Sequence, residues 1–214
     1  MNLTGADVVA RIAAARILPV VVLERAEDAV PLARALVEGG LPVAEVTFRT
    51  GAAAESLRRI RAEVPNMLLG AGTVLTGEQL KMAAASGAQF IVTPGFNPAI
   101  VAAAQALGLP IVPGINNPTG VEQAMSFGLE AVKFFPAEPS GGVPFLKALT
   151  GPYPAMRFVP TGGIGPANLA NYLALPAVLA CGGSWMVDAK LVREGRFDEI
   201  SRLTGVAVGL ARRA

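Results

Sequence analysis

The sequence lacks histidine altogether, and its 214 residues include a single cysteine, Cys181. One cysteine cannot form an intrachain disulfide. The absence of histidine excludes every mechanism with a histidine base, and it excludes most zinc sites of hydrolytic enzymes. Any proton transfer would therefore use a carboxylate, lysine, tyrosine, thiol or water.

Charged residues are also scarce, at 16% of the chain, and the formal net charge is only +2. No block of lysine and arginine is present, so the composition does not indicate a nucleic-acid partner. Hydrophobic residues make up 52% of the chain. That share is enough to bury a large core, and it argues against disorder.

Long uninterrupted apolar segments are missing too. Residues 82–121 and 158–187 contain no charged residue, but proline and glycine interrupt both stretches. A membrane-spanning helix needs ~20 predominantly apolar residues in one run, so no membrane partner is expected. Residues 1–7 do not have the basic segment and apolar run that mark a signal peptide. The expectation is a cytoplasmic protein.

What the chain does contain is a series of short apolar runs rich in β-branched residues. The runs end roughly every 20 to 27 residues and have helix-like segments between them, which is typical of repeated strand–helix units. Eight strands are predicted, at residues 17–23, 43–49, 67–73, 90–95, 111–115, 131–136, 157–163 and 177–184.

Capping residues and glycine stops place several helices between these strands. They are predicted at residues 28–38, 76–86, 97–107 and 118–127, with extra helices at 5–15 and 197–210. An open, doubly wound sheet is the competing architecture, but no glycine-rich dinucleotide motif follows the first strand. We therefore predict one α/β domain over residues 1–214, a (β/α)8 TIM barrel with an additional N-terminal helix.

Barrel enzymes carry their active sites at the carboxyl ends of the strands, and the second strand is polar at that end. Side chains alternate along a strand, so Glu45, Thr47 and Arg49 share one face, and Val46 and Phe48 share the other. The apolar pair suits the helix layer, which leaves Glu45 and Arg49 facing the barrel. Buried charges are either paired or used in chemistry. A structural Glu–Arg pair and an active site are both compatible with this strand.

The sixth strand favours the active site. It places Lys133 and Phe135 on one face, and Val132 and Phe134 on the other. Lysine is rarely buried for packing alone. Burial favours the neutral amine, which can attack a ketone and form an imine. The alternative is a lysine whose ammonium group extends out to the barrel mouth, although both sequence neighbours of Lys133 are large and apolar.

The remaining strand ends are rich in glycine. The third ends at Thr73 after Gly70-Ala-Gly72, and its glycines permit close backbone approach. The last two strands end in Pro160-Thr-Gly-Gly163 and Cys181-Gly-Gly-Ser184. Glycine turns in the last two units of a barrel are the usual phosphate site of this fold. The hydroxyls of Thr161 and Ser184 add donors there.

In combination, these segments resemble the aldolase family of 2-keto-3-deoxy-6-phosphogluconate (KDPG) aldolase and 4-hydroxy-2-oxoglutarate (KHG) aldolase. The resemblance runs from residue 18 to residue 185, and the order of its motifs is specific. The matching segments are Glu45-Val-Thr-Phe-Arg-Thr50, Gly70-Ala-Gly-Thr-Val74, Thr93-Pro-Gly95, Lys133-Phe-Phe-Pro-Ala-Glu138, Arg157-Phe-Val-Pro-Thr-Gly-Gly163 and Gly182-Gly-Ser184.

The resemblance implies a class I aldolase that cleaves KDPG to pyruvate and glyceraldehyde 3-phosphate. In that family pattern Lys133 forms the imine, and Glu45 is the general acid and base. The imine accepts the electrons of the broken bond, so neither a metal nor another cofactor is implied. A homotrimer is implied as well. The implied substrate contacts are Arg49 and Thr73 for the carboxylate, Pro94 and Phe135 for the pyruvyl wall, and Thr161, Gly162, Gly163 and Ser184 for the phosphate.

One departure concerns Asn116 and Asn117, where the family pattern has smaller residues. Turn formation is their expected role, but their position leaves the preferred 2-keto acid open. An aldolase for KHG or a related 2-keto acid is therefore the alternative function. A phosphate-binding isomerase that uses Lys133 only for its charge is a third hypothesis. A non-catalytic binding barrel is a fourth, and the joint presence of Lys133, Glu45 and Arg49 argues against it.

Overall fold

The structure, a computed structural model, describes residues 3–214. Strands and helices alternate along the chain. The strands are β1 (Ile17–Val21), β2 (Val43–Thr47), β3 (Leu68–Gly72), β4 (Phe90–Val92), β5 (Ile111–Val112), β6 (Gly114–Ile115), β7 (Ala131–Phe134), β8 (Arg157–Pro160) and β9 (Cys181–Gly183).

All strand pairs are parallel. One sheet has the order β5-β4-β3-β2-β1-β9, and a second has the order β6-β7-β8. The parallel sheet is curled into a half-barrel, which confirms the predicted α/β class. Isolated bridges from Phe158 to Val178 and from Thr161 to Gly182 connect β8 to the β9 segment.

The fifth predicted strand differs from the expectation because Pro113 divides it into two. Proline has no N–H to donate to a ladder, and β5 and β6 lie on either side of it. The first half pairs with β4 and the second half with β7. The eighth predicted strand is also shorter than expected. Val178 forms only the isolated bridge to Phe158, and the ladder to β1 begins at Cys181.

The helices are α1 (Gly5–Ala15), α2 (Ala29–Glu38), α3 (Ala53–Glu63), α4 (Gly77–Ala85), α5 (Pro98–Ala106), α6 (Pro118–Ser126), α7 (Gly142–Thr150), α8 (Leu169–Leu173), α9 (Ala189–Arg193) and α10 (Phe197–Arg213). The N-terminal helix has the predicted bounds. No bounds were predicted for α3, α7, α8 or α9, and the first three of these have no side-chain hydrogen bond at the N-cap. Among residues 3–214, none of the helices has the length and apolarity that crossing a bilayer needs.

Strand alternation divides the core into two layers. Val46 and Phe134 face the helices in the larger cluster. Leu18, Val43 and Phe90 belong to a separate interior cluster, where Val8 and Ile12 of α1 join them, so α1 packs against the sheet interior. The inner face is apolar at this level, and the polar groups lie further along the strands toward their carboxyl ends.

Candidate active site

Lys133 and Glu45 form an ion pair in the interior. Nζ of Lys133 donates to Oε1 of Glu45 over 3.1 Å. The two residues are only 4% and 1% exposed. Strand alternation had predicted that both side chains face inward, and the structure confirms it. The pair brings together an amine and a carboxyl group that are 88 residues apart in sequence.

Glycine makes room for the Glu45 side chain. A Cβ at Gly72 would lie 3.1 Å from both Cδ and Oε2 of that carboxyl group. At Gly70, the next inward position of the strand, the Phe90 ring occupies the equivalent space. Among the described residues, no hydrogen-bond partner reaches the buried Oε2 of Glu45. The carboxyl group therefore has one oxygen on the amine and one buried oxygen without a hydrogen-bond partner among the described residues.

Arg49 is exposed and lies two residues beyond the carboxyl end of β2. Its Nε donates to Oγ1 of Thr73 over 3.2 Å. Thr73 has a φ of 55°, in the left-handed region that a β-branched residue rarely adopts. The partner of Glu45 is Lys133, so the alternative of a structural Glu45–Arg49 pair is wrong. The guanidinium group is instead available at the mouth, beside a threonine hydroxyl.

Phe135 and Pro94 form a half-buried wall beside the lysine. The Phe135 ring centroid is 5.2 Å from the Lys133 Nζ. Both wall residues line a cavity of about 500 Å³ that also contacts Asn116. Asn117 also lines this cavity, and it has a second role. Its Oδ1 accepts from the Gly120 N–H and caps α6. The role that the structure gives Asn117 is therefore that of a helix N-cap.

The two predicted phosphate turns meet at the other side of the mouth. Gly162 and Gly163 have φ values of 104° and 80°, which favour glycine. Thr161 is buried, and its hydroxyl donates to the Val159 carbonyl over 3.3 Å. Ser184 is exposed. No hydrogen bond found among residues 3–214 uses the backbone N–H of Gly163 or Ser184, so both donors are available.

The single thiol takes no part in this arrangement. Cys181 lies on the helix side of β9, within the larger apolar cluster. Burial raises the pKa of the Cys181 thiol to about 12, so the thiol stays protonated near neutral pH.

Three residues near the mouth have no role in our sequence analysis. Gly72 appeared there only as part of a glycine-rich strand end, although its missing Cβ leaves the space for Glu45. Glu138 was the last residue of a segment that matches the family pattern, and it was given no role. Tyr172 was not considered. The Tyr172 hydroxyl donates to Oε1 of Glu138. Only the three-dimensional structure brings these residues, 34 positions apart, together.

Comparisons with known proteins show which family this chain resembles. The family model described as KDPG and KHG aldolase matches residues 8–203. A 2-dehydro-3-deoxy-phosphogluconate aldolase of Treponema pallidum is 58% identical over 88% of this chain and 90% of its own length. Its namesake in Haemophilus influenzae is 51% identical over 95% and 96%.

A solved structure of KDPG aldolase from Legionella pneumophila superposes with a TM-score of 0.90. It is 39% identical, and the match covers 93% of this chain and 97% of that chain. That protein was captured with pyruvate as a covalent carbinolamine intermediate. Family model, relatives and structure all point the same way, and the chain belongs to the KDPG and KHG aldolase family.

Proposed function

We propose that this protein is a class I aldolase that reversibly cleaves KDPG to pyruvate and glyceraldehyde 3-phosphate. The observation that carries the proposal is the buried pair of Lys133 and Glu45, with Nζ and Oε1 3.1 Å apart. Lys133 is the imine-forming residue, and Glu45 moves the protons. The names of the relatives and the carbinolamine in the Legionella protein support the same chemistry.

The reaction begins with proton transfer inside the pair. Glu45 takes a proton from the Lys133 ammonium over the direct hydrogen bond, and this leaves a neutral amine. The amine attacks the C2 ketone of the substrate and gives a carbinolamine. Glu45 then returns the proton to the carbinolamine hydroxyl, which leaves as water and yields the protonated imine.

Cleavage breaks the bond between C3 and C4. The electron pair of that bond moves into the protonated imine and forms an enamine, while Glu45 takes the proton of the C4 hydroxyl. Glyceraldehyde 3-phosphate is released at this point. Glu45 then protonates C3, which becomes the pyruvate methyl group, and water hydrolyses the imine to free Lys133.

The substrate is held at both ends. Arg49 and Thr73, which are joined by a 3.2 Å hydrogen bond, bind the planar carboxylate, and arginine suits it because it bonds in a bidentate manner. Pro94 and Phe135 enclose the pyruvyl unit. Thr161, Gly162, Gly163 and Ser184 serve the phosphate end, where the unused N–H groups of Gly163 and Ser184 support anion binding.

The fold in this proposal is a complete (β/α)8 barrel in one domain over residues 1–214, with α1 as the additional helix. The isolated bridges at Thr161 and Phe158, together with the division of the fifth strand at Pro113, support closure of the two sheets into one barrel. The family resemblance adds a cytoplasmic homotrimer. Light scattering tests the trimer, which would have three times the chain mass of 21.9 kDa.

KHG is the second candidate substrate, because the family includes aldolases for both compounds. The two glycine turns favour KDPG, since a substrate without phosphate leaves them unused. Pyruvate release from each substrate separates the candidates. We expect a kcat/KM for KDPG at least tenfold higher, the factor that one charge-assisted contact of about 1.4 kcal/mol provides. A higher value for KHG would assign the protein to the other substrate.

A further inference from the structure

Backbone hydrogen bonds join the Gly162–Gly163 turn to the segment that directly follows β7. The N–H groups of Ala137 and Glu138 donate to the carbonyls of Thr161 and Gly162, over 2.8 and 3.0 Å. These bonds extend the pairing of β7 with β8 beyond both strands. The turn is therefore in a fixed register with Lys133, four residues before Ala137.

The Glu138 side chain occupies the space beside Gly163 in this turn. A Cβ at Gly163 would lie 2.7 Å from both Cβ and Cγ of Glu138. Glycine is thus required there for space as well as for its φ of 80°. The Glu138 side chain packs directly against the backbone that presents the phosphate donors.

Tyr172 fixes the orientation of that glutamate. Its ring is 0% exposed, and its hydroxyl donates to Oε1 of Glu138. Burial, followed by this hydrogen bond, raises the pKa of the Tyr172 hydroxyl, so the group remains a donor. A Cβ at Gly142 would be 3.2 Å from Oε1 and 3.4 Å from the hydroxyl oxygen, so that glycine also covers the pair.

Asn168 holds the other side of the turn. Its Oδ1 accepts from the Gly165 N–H over 2.8 Å, and its Nδ2 donates to the Gly163 carbonyl over 3.1 Å. The turn is therefore braced by two side chains from outside its own sequence. Glu138, which accepts the hydrogen bond from Tyr172, supports the turn on the side of Lys133.

We infer that Glu138 and Tyr172 are positioning residues that hold the Gly162–Gly163 turn at a fixed distance from Lys133, and so set the preference for a phosphorylated 2-keto acid. This inference rests on the proposed function. The pair does not touch the reacting atoms. The pair fixes the distance between the backbone N–H donors of the turn and the imine at Lys133. A substrate without phosphate does not use those donors.

The chain supplies its own matched control. It contains two tyrosines, and each donates to a glutamate. Tyr153 donates to Oε1 of Glu122 over 2.9 Å, and it precedes β8 at the end of the barrel opposite the mouth. Tyr172→Phe and Tyr153→Phe each remove one hydroxyl and one hydrogen bond to a carboxyl group. Only the first change affects the phosphate turn.

The test compares the two variants on KDPG and on KHG. We expect Tyr172→Phe to raise KM for KDPG by at least ~5-fold, the effect of losing a hydrogen bond to a charged partner. Its kcat, and its KM for KHG, should stay within about twofold, because ground-state contacts to the pyruvyl end are unchanged. Tyr153→Phe should match the parent on both substrates. Glu138→Gln, which keeps an acceptor for Tyr172, should fall between Tyr172→Phe and the parent.

A second measurement does not depend on catalysis. Trp185 is the single tryptophan, and it follows Ser184 directly, so its fluorescence reports on the phosphate end. Titration with inorganic phosphate should give a weaker apparent affinity for Tyr172→Phe than for Tyr153→Phe. Equal phosphate affinities, or equal losses on KDPG and KHG, would overturn the inference. Failure of the parent to cleave either substrate would instead overturn the proposed function, and the phosphate titration would still decide the positioning role.

Discussion

Lys133 and Glu45 lie on β7 and β2, which are not neighbours in either sheet, and yet their side chains meet with 3.1 Å between Nζ and Oε1. Curvature of the sheet brings the two strands to face each other across the interior. Removing both groups from water costs several kcal/mol per ion, so such a pair is weak evidence for stability alone. A catalytic use of the pair explains its presence better than a structural use does.

Replacing Glu45 tests its role as the proton carrier. Glu45→Gln keeps the size of the side chain but cannot accept the Lys133 proton. We expect kcat to fall about 10²- to 10⁴-fold, the usual contribution of general acid–base catalysis, with a KM within a fewfold of the parent. Steady-state kinetics on KDPG measure both constants. Glu63→Gln, at an exposed surface pair with Arg34, is the control. Unchanged turnover in Glu45→Gln would remove Glu45 from its assigned role.

The space beside the Glu45 carboxyl group provides a second prediction. Gly72→Ala would place a methyl group 3.1 Å from Cδ and Oε2, closer than ordinary packing. We expect a loss of about 1–2 kcal/mol of stability from overpacking, and a fall in kcat of tenfold or more from the displaced carboxyl group.

Kinetics and urea unfolding of the Gly72 variant measure the two effects. Gly77→Ala is the matched control, because no atom lies within 4 Å of its added Cβ. Parent-like kcat in Gly72→Ala, with a stable fold, would contradict the requirement for space at Glu45.

The left-handed backbone at Thr73 provides a third prediction, in which stability and activity change in opposite directions. A β-branched residue at a φ of 55° costs about 1–2 kcal/mol, and glycine relieves this at an entropic cost of about 0.5–1 kcal/mol. Thr73→Gly should therefore be slightly more stable than the parent. It should also raise KM, because the carboxylate loses the threonine hydroxyl. Thermal unfolding and kinetics check the pair of effects, and a lower Tm would show that Thr73 is not strained.

A fourth prediction concerns pH and the buried thiol. The pKa of Cys181 is about 12 in the fold, above the ordinary value of about 8.5 for an unfolded chain. Between these values the unfolded chain releases a proton that the folded chain keeps, so stability falls as pH rises. Below about pH 8.5 both states hold the proton, and this contribution to the pH dependence vanishes.

Cys181→Ala removes this linkage, while lysine and tyrosine titrations remain common to both proteins. We expect the difference in unfolding free energy between parent and variant to shrink by roughly 1–2 kcal/mol from pH 7.5 to pH 10. Urea unfolding at the two pH values gives this difference. A difference that does not change with pH would mean that the thiol is not shielded from solvent.

Alternation along single strands was sufficient to predict the inward faces of Glu45 and Lys133. The strand–helix repeat was sufficient for the α/β class and for most element positions. The break at Pro113 was visible in the sequence as a residue without an N–H, but the run of apolar residues on both sides favoured one strand.

Such local patterns could not predict contacts between distant segments. The distance between Lys133 and Glu45 depends on how the sheet curves, and sequence alone did not exclude a Glu45–Arg49 pair. Tyr172 and Glu138 are 34 residues apart, and nothing in either neighbourhood indicates that they meet. Their contact results from α8 packing against the segment after β7.

Trapping of the imine tests the central claim most directly. The protein is incubated with pyruvate, reduced with borohydride and analysed by intact mass and peptide mapping. The chain has four lysines, and we expect one reduced pyruvyl adduct, located at Lys133. The adduct should be absent in Lys133→Ala and retained in Lys147→Ala, where an exposed surface lysine is lost. Absence of an adduct in the parent protein, or an adduct that persists in Lys133→Ala, would contradict the account.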